Sequence, residues 1–271
     1  MGAPTLLVGL LGVLSPALAQ AQPGIDFARE LYNQGRYDQA IVAAARLRAG
    51  PATTDTANLV LGRAHLERYR KTADRADLVA GREALRDIRP SQLGSRDRLD
   101  YLIGLGESLY LDESYGPAAE LFGSALDRSG EMGPRAFDRL FDWWATALDR
   151  QAQAGESDGW DAVYTTIRNR AAADLARVPG SASATYWLVV AYRSLGDSGH
   201  AWDAAVAGWV RAPLAEDQGA SLRADLDRLV LQAIIPERAR EGGASDRDRE
   251  RVAASLREAW EAVKQDWTQK R

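Results

Sequence analysis

From Asp26 onward the chain repeats one pattern, in which apolar residues recur every three or four positions between short breaks that contain glycine or proline. This spacing places apolar side chains on one face of an α-helix, whereas a half-buried strand would alternate apolar and polar residues. Alanine is abundant and no alternating run of β-branched residues is present. We therefore expect pairs of helices of about a dozen residues each. The breaks fall at Gly50-Pro51, Arg89-Pro90, Gly130 to Pro134, Val178-Pro179-Gly180, Ala212-Pro213 and Gly242-Gly243.

The composition excludes several kinds of site. The 271 residues include no cysteine, which excludes a disulfide framework, a thiolate nucleophile and a zinc finger. The two histidines, His65 and His200, leave few ways to build a metal site or a histidine-based relay. A formal net charge of −4 argues against a nucleic acid partner, because phosphates select a basic face. The hydrophobic fraction of 46% and the charged fraction of 27% are ordinary for a globular protein.

An apolar run from Thr5 to Ala19 precedes the helical region, and the first charged side chain is Asp26. The run is shorter than the roughly 20 residues that span a bilayer. It ends in Ala17-Leu18-Ala19, the small-x-small pattern at which signal peptidase cuts, although no Lys or Arg precedes it. We expect residues 1–19 to be a signal peptide, with a second cleavage site after Ala21. The mature chain is then exported, periplasmic or extracellular, without a stable membrane anchor; an uncleaved buried helix is the alternative.

The clearest internal unit spans residues 102–125. Gly106 in its first helix is followed by Ala118 in its second, and then by Phe122 and Ala125 at helical spacing. Small residues at Gly106 and Ala118 let two helix backbones approach closely, and larger side chains such as Phe122 fill the remaining space. The unit is therefore predicted to be a hairpin of two packed helices.

The same arrangement recurs twice more. One copy carries Ala28, Leu31, Gly35, Tyr37, Ala40 and Ala44, and the other carries Leu188, Tyr192, Gly196, Ala201, Ala205, Gly208 and Pro213. These units resemble the tetratricopeptide (TPR) repeat, a pair of antiparallel helices with small residues at the points of close approach. The segment from Gly35 to Ala40 resembles the turn between the two helices of that repeat. The alanine- and arginine-rich, lysine-poor composition is associated with bacterial genomes of high GC content, so an exported bacterial TPR-like protein is expected.

Two further units match the pattern less closely. In one, Leu61-Gly62 and Leu66 suit a first helix, and the charged stretch from Tyr69 to Ala76 is expected to lengthen the turn. In the other, Trp144 occupies the position that is normally small. The small positions of the five first helices then lie at Ala28, Gly62, Gly106, Trp144 and Val189, with steps of 34, 44, 38 and 45 residues. The resemblance implies an all-α fold, an α-α superhelix of about five TPR-like helical hairpins over residues 25–214.

Residues 215–271 depart from the repeat and are expected to form C-terminal capping helices. A helix from Asp217 to Ile235 should end at Pro236, and Ser245 to Asp248 resembles a capping box that begins the last helix. A helical stack needs its open end covered, because each unit buries its apolar face only against a neighbour. Trp260 and Trp267 lie on one stripe of the last helix, which either caps the array or forms a surface for dimerisation or for a partner.

The sequence offers little for catalysis or cofactor binding. His65 and Glu67 are two residues apart on a helix and so point to different faces, and His200 is expected near a helix N-terminus, exposed to solvent. No phosphate-binding loop, Gly-x-Ser-x-Gly elbow or paired-histidine metalloprotease motif is present. We therefore expect no catalytic residue, no metal site and no cofactor.

The resemblance also implies a partner-binding groove, because first-helix positions on either side of the small residue line the concave face in TPR proteins. A groove of arginine, tyrosine and glutamate is compatible with an extended peptide or a partner helix. The paired Lys and Asn positions by which some TPR proteins hold a C-terminal carboxylate are not seen. Carried over by spacing, the groove residues are Arg29, Tyr32, Asn33, Arg63, Glu67, Ile103, Glu107, Tyr110, Tyr186 and Arg193.

The function expected from these observations is non-catalytic binding of a protein or peptide partner, as an exported scaffold or adaptor of the cell envelope. Two alternatives remain open. One is an envelope-remodelling enzyme or its activating subunit. The other is a structural homo-oligomer formed through the C-terminal helix.

Overall fold

The computed structural model describes residues 24–128, 130, 132–154 and 159–267, and within these ranges the chain forms helices and connecting turns without a β-strand. The predicted signal peptide, residues 1–19, lies outside the described residues. No helix of the described part is long and apolar enough to cross a membrane. The helices are α1 (Ile25–Asn33), α2 (Tyr37–Leu47), α3 (Thr54–Thr72), α4 (Arg75–Arg86), α5 (Ser95–Tyr110), α6 (Tyr115–Leu126), α7 (Pro134–Ala154), α8 (Trp160–Arg177), α9 (Ala182–Ser194), α10 (Ser198–Arg211), α11 (Ala220–Leu229), α12 (Ile235–Gly242) and α13 (Asp246–Trp267).

The helices break at the glycine and proline pairs singled out in the sequence. Gly50-Pro51 lies between α2 and α3, Pro134 is the first residue of α7, and Gly243 follows α12. Proline is favoured in the first turn of a helix because the N–H that it lacks would have no partner there. The turns after α1 and α9 pass through Gly35 and Gly196, which have φ values of +73° and +74°. This left-handed backbone conformation favours glycine, and the turn predicted at Gly35 is confirmed.

Sequence neighbours pack against each other along the chain, as α1 on α2, α2 on α3 and α3 on α4. Alternate helices also touch: α1 contacts α3, α3 contacts α5, α7 contacts α9 and α9 contacts α11. The buried apolar side chains of the described residues form successive clusters, from α1–α4 at one end to α9–α13 at the other. Each helix therefore buries its apolar face mainly against elements that are near in sequence.

The predicted close approach at Gly106 is confirmed. A Cβ atom at this position would lie 2.5 Å from Cε1 of Phe122, well inside van der Waals contact. Trp144 fits at its position because the small residue is supplied by the neighbouring helix: a Cβ on Gly123 would lie 3.3 Å from the indole Nε1. At the α6–α7 interface the large residue therefore lies on the first helix of a unit and the small residue on the helix before it, and the two helices still pack closely.

The expected long turn from Tyr69 to Ala76 is wrong. Helix α3 continues to Thr72, and only Ala73 and Asp74 separate it from α4. Ala73 has φ 57°, and the Asp74 carboxylate accepts a hydrogen bond from the N–H of Ala76 to cap α4. The charged residues of this segment extend the helix because helical spacing suits them for ion pairs, such as Arg70 with Glu67 at 3.3 Å.

The expected helix end at Pro236 is also wrong. Helix α11 continues through a π-helical turn, Val230–Ile234, directly into α12, where Pro236 occupies the first turn. The wider π turn shifts the pattern of backbone hydrogen bonds along the helix. Pro236, whose nitrogen carries no proton, therefore lies in the first turn of a new α-helical segment, where it interrupts no helical hydrogen bond. The capping box is confirmed: Ser245 Oγ accepts a hydrogen bond from the N–H of Asp248 at 3.2 Å.

Trp260 on α13 is fully buried, and Trp267 is 55% exposed. The Trp260 ring packs edge-on against Trp202 and Trp209 of α10, at centroid distances of 5.9 and 5.3 Å. Its indole Nε1 donates a hydrogen bond to Asp227 at 2.8 Å. Trp260 therefore fills the core between α10, α11 and α13 and has no exposed surface to offer a partner. The predicted stripe of Trp260 and Trp267 does not form one exposed surface.

Candidate functional site

An open cleft of about 700 Å³ lies among the odd-numbered helices of the first half of the protein. Its walls come from α1, α3, α5 and α7, with Tyr37 from the start of α2 and Glu216 from the loop after α10. Several of the side chains that line it are solvent-exposed, so it is a groove and not an enclosed chamber. The lining residues are Arg29, Tyr32, Asn33, Gln34, Gly35, Tyr37, Leu59, Val60, Arg63, Arg96, Leu99, Asp100, Ile103, Met132, Gly133, Pro134, Arg135, Ala136, Arg139, Leu140, Trp143 and Glu216.

Five of the predicted groove residues line this cleft. Successive first helices bring them together, since α1 contacts α3 and α3 contacts α5. Each comes from the helical face that points toward the cleft, as the spacing of the repeats implies. The five residues are Arg29, Tyr32 and Asn33 of α1, Arg63 of α3 and Ile103 of α5.

Two other predicted residues, Glu67 and Glu107, are buried near this cleft but do not line it. Glu107 is 3% exposed, and its carboxylate lies 3.5 Å from the Nε atom of Arg63. Glu67 is 6% exposed and lies 3.3 Å from the guanidinium of Arg70. Both carboxylates therefore contribute to the electrostatics of the cleft without direct access to a ligand.

The remaining three predicted residues do not line the cleft. Tyr110 packs edge-on against Tyr115 at 5.4 Å, at the end of α5. Tyr186 packs against Trp187 at 5.8 Å, within the apolar clusters of α9. Arg193 donates hydrogen bonds to both carboxylate oxygens of Glu237, from 2.7 to 3.0 Å, and so ties α9 to α12. The structure therefore does not bring all ten predicted groove residues into one site.

Ion pairs hold several of the charged groups that border the cleft. Arg29 contacts Asp97 at 2.6 Å, which joins α1 to α5, and Arg63 contacts Asp100 at 2.9 Å, which joins α3 to α5. A third pair, Arg135 with Glu216 at 2.6 Å, joins α7 to the loop after α10. These contacts fix the helices around the cleft and neutralise part of its charge.

Two cleft arginines lack such a pair. Within the described ranges, neither Arg96 of α5 nor Arg139 of α7 has a carboxylate oxygen within 4.0 Å of its guanidinium. Both side chains are exposed and both line the cleft. They are therefore free to contact an anionic group of a ligand.

Beneath the cleft lie polar atoms that have no hydrogen-bond partner among the described residues: the hydroxyl of Tyr32, Nε of Arg63 and both carboxylate oxygens of Glu107. The Arg63 guanidinium stacks over the Tyr32 ring at 5.1 Å. Burial raises the pKa of Glu107 to about 7, although the nearby charge of Arg63 opposes the shift. Burial also raises the pKa of Tyr32. The Glu107 carboxyl can therefore exchange a proton near neutral pH, but it is too deeply buried to touch a ligand in the cleft.

Sequence reasoning missed the wall formed by α7. Arg135, Arg139 and Trp143 are spaced four residues apart, which places them on one face of a helix, and this spacing is a signal that could have identified them. Arg96 lies in the first turn of α5, before the positions of that helix that the repeat resemblance assigns to the groove, so the resemblance did not include it. Glu216 carries no local signal, because only the return of the chain after α10 brings it to the cleft.

The two histidines lie outside the cleft. His200 is in the first turn of α10, where its side chain is 66% exposed and its Nδ1 lies 2.6 Å from Asp197, as predicted for a histidine near a helix N-terminus. His65 Nδ1 lies 2.8 Å from the Asp77 carboxylate, which also accepts hydrogen bonds from Arg68. In the described part of the chain, no group of three or more His, Cys, Asp or Glu side chains is arranged to hold a metal ion.

Comparison with known proteins does not identify a relative of this chain. No protein-family model matches it. Neither a curated protein nor a solved structure matches it.

Proposed function

We propose that this chain is a non-catalytic binding protein that captures a segment of a polypeptide partner in the cleft between α1, α3, α5 and α7. The observation that carries the proposal is the cleft itself, to which five helices, α1, α2, α3, α5 and α7, contribute side chains around about 700 Å³ of open space. Tyrosine, tryptophan and arginine are the residues most enriched at binding hot spots, and Tyr37, Trp143 and Arg139 are all present in the lining.

The helical arrangement supports this proposal. Alternate helices touch in several places, α1 with α3, α3 with α5 and α7 with α9, and such contacts are compatible with a stack of hairpins. We propose that the hairpins form a TPR-like superhelix of about five units, with α11, α12 and α13 as its cap. A stack of this kind presents an extended concave surface, which suits a peptide or a partner helix.

We place the mature protein outside the cytoplasm, as an envelope scaffold or adaptor, on the basis of the apolar run that ends at Ala19. This part of the proposal is independent of the cleft. Mass measurement of the mature protein after expression in a bacterial host tests it, because cleavage after Ala19 or Ala21 removes a defined mass.

Affinity capture from an envelope fraction tests the binding function. The blocking variant is Ala136→Trp, because Ala136 is exposed on α7 and lines the cleft, so a large side chain there fills part of the open space. The matched control is Ala172→Trp, which adds the same bulk at an exposed position of α8 that does not line the cleft. We expect a reproducible protein partner that the control retains and the blocking variant loses. Equal capture by both variants would contradict the proposal.

A further inference from the structure

The charge of the cleft is opposite in sign to that of the whole chain. The lining contains five arginines and two acidic residues, Asp100 and Glu216, and Asp97 pairs with Arg29 from just outside it, which leaves an excess of two positive charges, whereas the chain has a formal net charge of −4. A local patch of opposite sign is a feature that selects a partner by charge, since complementary potentials steer association and exclude wrong partners.

The excess positive charge is located at identifiable side chains. Asp97 and Asp100 of α5 pair with Arg29 and Arg63, and Glu216 pairs with Arg135. The two arginines that remain, Arg96 and Arg139, have no carboxylate within 4.0 Å among the described residues. They belong to different helices, α5 and α7, so a ligand that contacts both bridges these two helices.

The rest of the lining indicates which anion fits. Trp143 and Tyr37 are partly exposed there, and Met132 contributes a flexible apolar side chain. Aromatic and apolar surface beside guanidinium groups suits a polypeptide that carries carboxylates together with apolar side chains. A nucleic acid fits less well, because a long polyanion would also meet the acidic remainder of the protein surface.

We infer that the cleft binds an acidic segment of its partner polypeptide and that Arg96 and Arg139 contact the carboxylates of that segment. This inference rests on the proposed function and adds the chemical class of the partner. Guanidinium groups form paired hydrogen bonds with carboxylates, a geometry that lysine does not reproduce.

The test uses a fluorescently labelled oligo-glutamate peptide that contains tyrosine, with an oligo-glutamine peptide of equal length as the neutral comparison. Fluorescence anisotropy measures binding to the full chain at low and at raised salt. We expect the glutamate peptide to bind more tightly than the glutamine peptide and its affinity to fall as salt rises. Equal affinity for the two peptides would overturn the inference.

Charge reversal locates the contact. The double variant Arg96→Glu/Arg139→Glu should bind the glutamate peptide at least about tenfold more weakly, which corresponds to about 1.4 kcal/mol. The control, Arg86→Glu/Arg257→Glu, changes the net charge equally at two exposed positions outside the cleft and should retain most of the binding. Equal losses in the two variants would overturn the inference, because they would show a response to net charge alone. Circular dichroism confirms that each variant is folded.

Two further outcomes separate this inference from the proposed function. If Ala136→Trp abolishes partner capture while the arginine reversal leaves it unchanged, the cleft is the binding site but the acidic class is wrong. If Ala136→Trp leaves capture unchanged, the proposed function itself fails. A competition experiment tests the assignment to a polypeptide, with concentrations compared per negative charge. The assignment is overturned if a single-stranded oligonucleotide or an anionic phospholipid vesicle displaces the labelled peptide at a lower concentration than unlabelled oligo-glutamate does.

Discussion

Arg63 of α3 lies with its Nε atom 3.5 Å from the carboxylate of Glu107 on α5, and neither this nitrogen nor either Glu107 oxygen has a hydrogen-bond partner within the described structure. The Arg63 guanidinium is fixed instead by Asp100 at 2.9 Å and by the ring of Tyr32. Burial has therefore left the Glu107 carboxyl with a nearby charge but without the hydrogen bonds that a buried carboxylate needs. This arrangement couples the interface of α3 and α5 to pH.

Glu107 should make the protein less stable as the pH rises toward neutrality. Its pKa is about 7 in the folded state and 4.5 in its ordinary state, so the folded protein holds a proton that the unfolded chain releases. The contribution of this carboxyl to the free energy of unfolding is present below about pH 4.5 and is lost as the pH rises through about 7. It amounts to at most about 3 kcal/mol. Urea unfolding between these pH values measures it. Glu107→Gln should flatten this dependence and unfold at a higher urea concentration than the native protein at pH 8; an unchanged slope would contradict the burial argument.

Asp77 should have the opposite pH dependence. Hydrogen bonds from Arg68 lower the pKa of this buried carboxyl, and His65 donates a further bond. Its contribution to stability is present above its ordinary pKa of 3.8 and is lost as the pH falls through the lower folded value. Asp77→Asn should cost about 1–3 kcal/mol at pH 7, because Arg68 loses a charged partner. Asp38, the exposed second partner of Arg68, provides the control: Asp38→Asn should change the unfolding free energy by less than about 1 kcal/mol.

Trp260 should be among the most sensitive positions of the cap. Trp260→Ala removes a fully buried indole and its hydrogen bond to Asp227, and we expect a loss of about 3–5 kcal/mol in unfolding free energy. Trp260→Phe should cost less, because the ring volume is largely kept and Asp227 retains Lys264 at 2.9 Å. Chemical denaturation measures both variants. The control Trp267→Ala, at an exposed position, should lie within about 0.5 kcal/mol of the native protein, and a similar loss in both alanine variants would contradict the packing described for Trp260.

Gly106 should not tolerate alanine. The added Cβ would meet the Phe122 ring at 2.5 Å, and Phe122 is itself fully buried, so the ring has little room to move. Overpacking of this kind costs about 1–3 kcal/mol, partly offset by a gain of at most about 1 kcal/mol in helix propensity. Gly106→Ala/Phe122→Leu should recover part of the loss. Gly94→Ala is the comparison, since a Cβ there has no atom within 4 Å, and thermal unfolding should show little change for it.

The predictable part of the fold is the part that depends on local pattern. Helical periodicity and the positions of glycine and proline located most of the helix breaks, and the repeat resemblance located the turn at Gly35, where the structure has the left-handed backbone that suits glycine. Where local pattern competed with other contacts, prediction failed. Charged residues such as Arg70 extended α3 through the segment expected to be a turn, and the π turn after Leu229 carried the helix past Pro236.

The candidate cleft was predictable only in part, and the division has a physical cause. The sequence alone determined an all-helical chain and the cleft-facing side of α1, where Arg29 and Tyr32 lie, and it also placed Arg63 of α3 in the lining. Only the tertiary structure decided that Arg139 lines the same cleft, that Glu107 is buried without hydrogen bonds and that Trp260 belongs to the core. Periodicity fixes the direction of a side chain within its own helix, but the partner that it meets depends on the distances and angles between helices, which arise from the packing of the whole chain.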